Sequence, residues 1–246
     1  MVKYRMDHKK TLIIIPAYNE SKTIGSVIDE VRKVVSSADI VVVNDGSSDD
    51  TGPISELKGV FVLNLPYNLG IGGAVQTGYK FAAERGYEIA VQVDADGQHP
   101  PKAIPALIEA VHNDEADMVI GSRYMENEDR DPSLARNLGK SLLSGVVSFL
   151  AGQTITDSSS GFRAMNQGVV HVLASMYPRD YPEPESVVLL TREKFRVKEI
   201  PVRMNRRMAG ESSITLSKGI YYVIKVIVAT VIDMFEERIF PEEPES

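Results

Sequence analysis

The sequence predicts an α/β fold: a doubly wound, mostly parallel sheet with flanking helices, followed by a C-terminal amphipathic helix. Three observations carry that expectation. Short runs rich in Ile and Val recur between Thr11 and Ile120, as strands buried on both faces require. Stretches with helical spacing lie between them, the rhythm of βαβ units. The most polar, Gly-rich and acidic segments of this half directly follow apolar runs. Open α/β sheets bind ligands there, outside the carboxyl ends of strands and where the strand order reverses.

The elements follow in order. Thr11–Ile15, Asp39–Val43, Gly59–Leu63, Glu88–Val93 and Asp117–Ile120 read as strands. Thr23–Val35 sets Ile24, Val27, Ile28 and Val31 on one helical face, and Gly73–Arg85 and Lys102–Asn113 behave similarly. The second half is less regular. Tyr124–Ser133 is acidic and reads as a mobile loop, and Leu134–Leu150 as an amphipathic helix. A Ser/Thr/Asp cluster spans Thr154–Gly161, and a Pro-rich stretch spans Tyr177–Pro184. Glu185–Phe195 reads as a helix and Arg196–Val202 as a strand, leading into a basic loop through Arg206 and Arg207. No repeat or linker interrupts the chain. It divides into one domain over residues 1–212 and a helix with an acidic tail over 213–246.

Composition narrows the function. The 246 residues are 43% hydrophobic and 25% charged, the balance of a soluble globular protein. A net charge of −7 disfavours a nucleic-acid partner. The absence of cysteine excludes disulfides, zinc–thiolate sites, Fe–S clusters and Cys nucleophiles. Trp is also absent, so stacking on an aromatic must use Tyr or Phe. The basic N-terminus is followed by only the short apolar-leaning run Thr11–Ile15, too short for a secretory signal, which predicts a cytoplasmic protein. No run of uncharged apolar residues reaches the length of a spanning helix.

Asp94 and Asp96 close an apolar strand. Two carboxylates so near repel unless a cation sits between them, and hard oxygen ligands select Mg²⁺ or Mn²⁺. Gln98 offers a third, neutral oxygen. An acidic turn with two solvated aspartates is the plainer alternative, since the pattern is short. Asp45 follows Val41–Val43 and stands too early for helix capping alone; it is placed to accept from a base or ribose. Ser47, Ser48 and Asp49 can cap the helix that follows, with Ser47 or Ser48 the expected cap. In Pro16-Ala17-Tyr18-Asn19-Glu20, Tyr18 could pack on a nucleobase and Glu20 could bond ribose or the base edge, or the segment is an ordinary loop capped by Asn19 or Ser21. Gly70-Ile71-Gly72-Gly73 follows the third strand and Val75 stands where a dinucleotide fingerprint needs its last Gly, so positive φ or close packing is expected instead. Arg123, Arg136, Lys140, Arg163, Arg206 and Arg207 suit a substrate rich in phosphate. Each alone is equally a solvated surface charge.

Taken together and in order, Ile15–Glu20, Val43–Asp49, Asp94–Pro100, Gly121–Tyr124 and Asp157–Arg163 resemble family 2 of the inverting nucleotide-sugar glycosyltransferases. Within it they are most similar to polyprenyl-phosphate enzymes of the dolichyl-phosphate mannose synthase type. The resemblance implies a GT-A-like fold and a nucleotide-sugar donor, UDP- or GDP-linked. Pro16, Tyr18, Glu20 and Asp45 would hold the nucleoside. Asp94, Asp96 and Gln98 would hold Mg²⁺ or Mn²⁺ and the diphosphate, with Asp96 in the catalytic set. Arg123 would meet phosphate at the reaction centre. Arg136, with Lys140 and Ser141 one turn on, would add a phosphate contact. Asp157, Ser160 and Arg163 would line the acceptor side, and Arg206 the late loop over the phosphates.

An acceptor phosphate is already anionic and needs cations rather than a base, whereas a sugar hydroxyl needs a carboxylate base, for which Asp157 is the candidate. The basic residues favour polyprenyl phosphate. Ile214–Phe235 carries Ile220, Val223, Ile224, Ile227, Val231 and Met234 on one face, with Lys218, Lys225 and Asp233 interrupting it. That pattern suits a membrane surface or a small membrane-protein partner better than core packing, and puts the enzyme at the cytoplasmic face of the membrane. The rivals are transfer to a sugar hydroxyl of a polysaccharide or glycolipid and a non-catalytic sugar-nucleotide-binding subunit. A nucleotidyltransferase would want a Gly-rich basic loop after the first strand, which PAYNE is not.

Overall fold

The computed structural model describes residues 10–125, 134–178 and 181–205, the side chains of 134–141 excepted. Most of the acidic loop, Arg206 and Arg207, the helix over 214–235, the boundary at 212 and the side chains of Arg136, Lys140 and Ser141 lie outside the described residues.

The chain alternates as its periodicity requires: β1 (Thr11–Ala17), α1 (Ile24–Val34), β2 (Asp39–Asn44), α2 (Thr51–Leu57), β3 (Phe61–Asn64), α3 (Gly70–Glu84), β4 (Ile89–Gln92), α4 (Ile104–His112) and β5 (Met118–Ser122). It continues with α5 (Leu134–Ala151), β6 (Arg163–Asn166), α6 (Gln167–Met176), α7 (Pro182–Arg192) and β7 (Val197–Pro201). The described strands form one seven-stranded sheet in the order β3-β2-β1-β4-β6-β5-β7. Every pairing is parallel except those of β6, which is antiparallel to both neighbours.

β1 shows why these strands are apolar on both faces. Leu12 and Ile14 enter a core shared with Val75 and Tyr79 of α3 and Val169 and Val170 of α6. Ile13 and Ile15 enter the opposite core, with Ile24 and Ile28 of α1 and Ile104 and Leu107 of α4. Alternate side chains thus serve two helical layers, the reason the run is continuous rather than alternating.

Topology then fixes where a ligand enters. The chain steps outward from β1 to β2 to β3, then returns to β4 on the other side of β1. The strand order therefore reverses between β1 and β4, and the crevice opens at their carboxyl ends. β6 runs the other way. Its first residue, Arg163, pairs with Gln92 of β4 and Ile120 of β5. The segment leading into it, residues 157–161, is therefore delivered to the same edge as the ends of the parallel strands. No helix among the described residues is long and apolar enough to cross a membrane.

Candidate active site

Three loops at the carboxyl edge are fastened together. Asn19, at φ 54°, receives the first staple: its backbone N–H donates to Ser47 Oγ at 2.9 Å. Its side-chain oxygen accepts the Ser48 N–H at 2.9 Å. Glu20 N–H donates to Thr51 Oγ1 at 2.8 Å, and Thr23 Oγ1 donates to the Glu20 carboxylate at 2.9 Å. Asp45 is buried; its N–H reaches Ala17 O at 2.9 Å and its carboxylate accepts Leu69 N–H at 2.7 Å, at the start of α3. Gly46, at φ 68°, lies against the third loop, where a Cβ would stand 2.7 Å from the Tyr67 carbonyl carbon. Only glycine satisfies both demands. Tyr18 remains exposed at the rim.

The capping expectation is corrected here. Ser47 and Ser48 are used on Asn19, and Asp49 takes over the start of α2, accepting Thr51 N–H at 3.0 Å and Thr51 Oγ1. Asp49 also accepts Ser21 N–H at 3.0 Å. Burial works against its charge, but the bonds from Thr51 and Ser21 outweigh it and hold the carboxyl down at about 2.

The loop after β4 forms one wall of a cleft of about 320 Å³, open mouth included, lined by Asp94, Gln98, His99, Arg123, Ser160 and Met204 among others. Sequence-predicted residues from three separate segments thus share one cleft. Asp96 is buried beside it, accepting Gln98 N–H at 3.0 Å. His99, to which the sequence reading gave no role, orders this wall. Its Nδ1 accepts Asp94 N–H at 2.9 Å, which leaves the ring proton on Nε2, 3.4 Å from Asp94 Oδ2. The ring stacks on Phe162 at 4.8 Å. Gly161 completes the approach: a Cβ there would lie 2.8 Å from Gln92 Nε2 and 3.3 Å from Asp94 Oδ1. Asn205, the last described residue, donates to Gln98 O at 2.9 Å and Gly97 O at 3.2 Å, so the chain after β7 is tied to the same loop.

Opposite Asp94 stands Arg123, just past β5. Asp157 accepts its N–H at 3.0 Å, its Nε at 2.7 Å and one Nη at 2.7 Å, and Ser159 Oγ takes a further bond at 3.0 Å. Burial disfavours the Arg123 charge, but the bonds and charge of Asp157 more than offset it and raise its pKa. The Asp157 side chain is 0% exposed and both its oxygens face Arg123, so the geometry presents the arginine to the cleft and not the carboxylate. Ser160, buried, donates to Gly121 O at 2.8 Å.

Arg163 is placed differently from the other predicted residues. It is 1% exposed within β6, and its guanidinium donates to Ser160 O at 2.7 Å, Ser158 O at 2.8 Å and Ser186 Oγ at 2.8 Å. Its charge supports the turn behind the cleft instead of lining it. Glu183, at the start of α7, also escaped the sequence reading. Burial raises its pKa, the nearby Arg163 charge opposes that, and Asp94 lies near enough to add to the rise.

An open, mostly parallel α/β sheet with helices on both faces is the fold of the GT-A glycosyltransferases. Glucosyl-3-phosphoglycerate synthase from Mycobacterium tuberculosis, solved with Mn²⁺, UDP and phosphoglyceric acid, shares that fold. It has a TM-score of 0.69 and 20% identity, covering 89% of this chain and 77% of that one. The chain belongs to glycosyl transferase family 2, whose model matches residues 12–173. It is 32% identical to a UDP-N-acetylglucosamine–dolichyl-phosphate N-acetylglucosaminyltransferase from Methanococcus voltae, over 88% of this chain and 95% of that protein. It is 31% identical to an undecaprenyl-phosphate mannosyltransferase from Micrococcus luteus, over 84% of this chain and 88% of that protein. The protein is therefore a glycosyltransferase.

Proposed function

We propose that this glycosyltransferase moves a hexose or N-acetylhexosamine from a UDP- or GDP-linked sugar to a polyprenyl phosphate, with inversion, at the cytoplasmic face of a membrane. Its catalytic unit is residues 1–212, and 214–235 provides the contact with the membrane or a small membrane protein. The acceptors named for the Methanococcus and Micrococcus relatives support this reading. The observation that carries it is the pairing of Arg123 with a wholly buried Asp157. The cleft offers a fixed cation where a base would be needed for a sugar hydroxyl. A phosphate oxygen needs the cation.

The donor set fits a divalent metal. Among the described residues no three acidic or His side chains gather into a protein cage. Two aspartates and one amide leave room for phosphate oxygens, which is how Mg²⁺ is usually shared with a substrate. Asp94, Asp96 and Gln98 would hold Mg²⁺ or Mn²⁺, which when bound supplies Lewis-acid stabilisation of the departing diphosphate. Pro16, Tyr18, Glu20 and Asp45 receive the nucleoside on the pre-joined loops. Arg123 neutralises charge that grows as the C1–O bond breaks, and it lets the acceptor phosphate approach another anion. Ser160, Arg136 and Arg206 complete the phosphate and acceptor contacts, with Arg163 supporting the turn that bears Ser160.

The second reading is transfer to a sugar hydroxyl, which would need a carboxylate base at the cleft. Incubation with Mn²⁺, short polyprenyl phosphate or glycan acceptors, and a panel of labelled UDP- and GDP-sugars separates the two. A lipid-linked monophosphate sugar is the expected product. Labelled glycan alone would establish the second reading. Nucleotide binding with no transfer to any acceptor would sink both.

A further inference from the structure

We infer that Glu199 is a positioning residue for Arg123, acting through Asp157. It stands mid-strand in β7, and no motif identified in the sequence includes it. Its carboxylate accepts Thr156 N–H at 2.7 Å, Thr156 Oγ1 at 3.0 Å and Asp157 N–H at 2.7 Å. Thr156 Oγ1 also meets Ser122 Oγ at 2.9 Å, at the end of β5 next to Arg123. Every contact to Glu199 is thus a donor, and two are backbone N–H groups of consecutive residues. One carboxylate fixes the main chain of residues 156 and 157. Asp157, so fixed, grips the Arg123 backbone and guanidinium. The order is Glu199, then Asp157, then Arg123, then the cleft.

A carboxylate is the required group here. An amide of the same shape would turn an NH₂ against one of the two backbone N–H groups, leaving a donor facing a donor. The inference rests on Arg123 serving the proposed transfer, but the arrangement of Arg123 is readable without activity.

The test uses the full chain and Glu199→Gln. Phenylglyoxal modification of individual arginines, followed by peptide mass spectrometry, reports how firmly each is held. Arg123 should react several-fold faster in Glu199→Gln than in the parent, with Arg196 unchanged. In the transfer assay kcat should fall about tenfold, the size of one lost charge-assisted bond, with KM for the donor nearly constant. In an Arg123→Lys background the same change should cost much less, because the group it positions is already altered. Asp117→Asn, just before β5 at the opposite edge of the sheet and outside the cleft, should leave kcat alone. Should Glu199→Gln fold poorly, Thr156→Val removes the hydroxyl contact and keeps the backbone, and should raise Arg123 reactivity to a smaller extent. An unchanged Arg123 modification rate in these variants overturns the inference. So does a kcat loss that is fully additive with Arg123→Lys. A parent that transfers no sugar refutes the proposed function, while the modification rates still decide the role of Glu199.

Discussion

The two edges of the sheet carry the same device in two solvents. At the carboxyl edge, Asp157 accepts the N–H, Nε and one Nη of Arg123. At the opposite edge, Asp117 accepts the N–H, Nε and one Nη of Arg196. Both lie beside β5, one pair past its end and the other before its start. The side chains of Asp157 and Arg123 are 0% and 31% exposed, against 16% and 50% for Asp117 and Arg196. Bonding pattern alone therefore does not distinguish a functional pair from a structural one. Exposure and neighbours do. An exposed pair contributes little because water competes for both partners, whereas a buried pair cannot lose one member without leaving a charge unpaired. Arg196 also has a second acidic partner, Asp114, bonded directly and 83% exposed, whereas the second acid beside Arg123, Asp94, shares a cleft with it.

If the carboxyl edge does chemistry and the other edge only holds strands, the largest effect belongs to Asp96→Ala. Metal-dependent transfer should fall by about 10³-fold or more, and an equally active variant removes the assigned site. Arg123→Ala should lower kcat by about 10²-fold, while Arg196→Ala stays within about twofold. Equal losses would break the comparison. In urea unfolding, Asp157→Asn should cost about 3 kcal/mol because the buried Arg123 charge loses its partner. Asp117→Asn should cost about 1 kcal/mol or less. The smallest effect sharpens the contrast by showing that not every carboxyl-edge acid is functional. Asp49 is held at about 2, below its ordinary value near 3.8. Its contribution is complete above the unfolded value and is lost as pH falls from about 4 through 2. Asp49→Asn should flatten the acid-stability curve in that window, losing about 1–2 kcal/mol near neutral pH, with kcat unchanged when measured by transfer assay.

Legibility in the sequence followed the same division. β1, β2, β4 and β5 were readable because central parallel strands must be apolar on both faces, and Leu12–Ile15 and Ile40–Val43 could hardly be anything else. The acidic loop stood out because carboxylates after a buried strand need a reason to be there. β6 was missed. It has only four residues and opens on a charge, Arg163, so neither length nor hydropathy marks it. Burial of that charge rests on bonds to the carbonyls of the turn just before it, Ser158 and Ser160, and to Ser186 of α7, which hydropathy does not reveal. Missing β6 also hid why residues 157–161 reach the site, since an antiparallel strand brings its beginning where parallel neighbours bring their ends. α6 went unmarked too, although Asn166 caps it by accepting Val169 N–H at 3.0 Å. Glu199 carried no signal at all, and His99 stood in the Asp94–Pro100 segment without a role of its own. Their importance lies in which backbone groups they hold, and no residue pattern encodes that.

The stapling of Asn19 to Ser47 and Ser48, with Asp45 holding the start of α3, has a thermodynamic consequence. Three chain segments already share a common floor, so docking of a nucleotide there, as proposed, would order little new backbone. Calorimetry on nucleoside diphosphate should accordingly register a heat-capacity change no larger than the contact area alone demands, with no added signature of coupled folding.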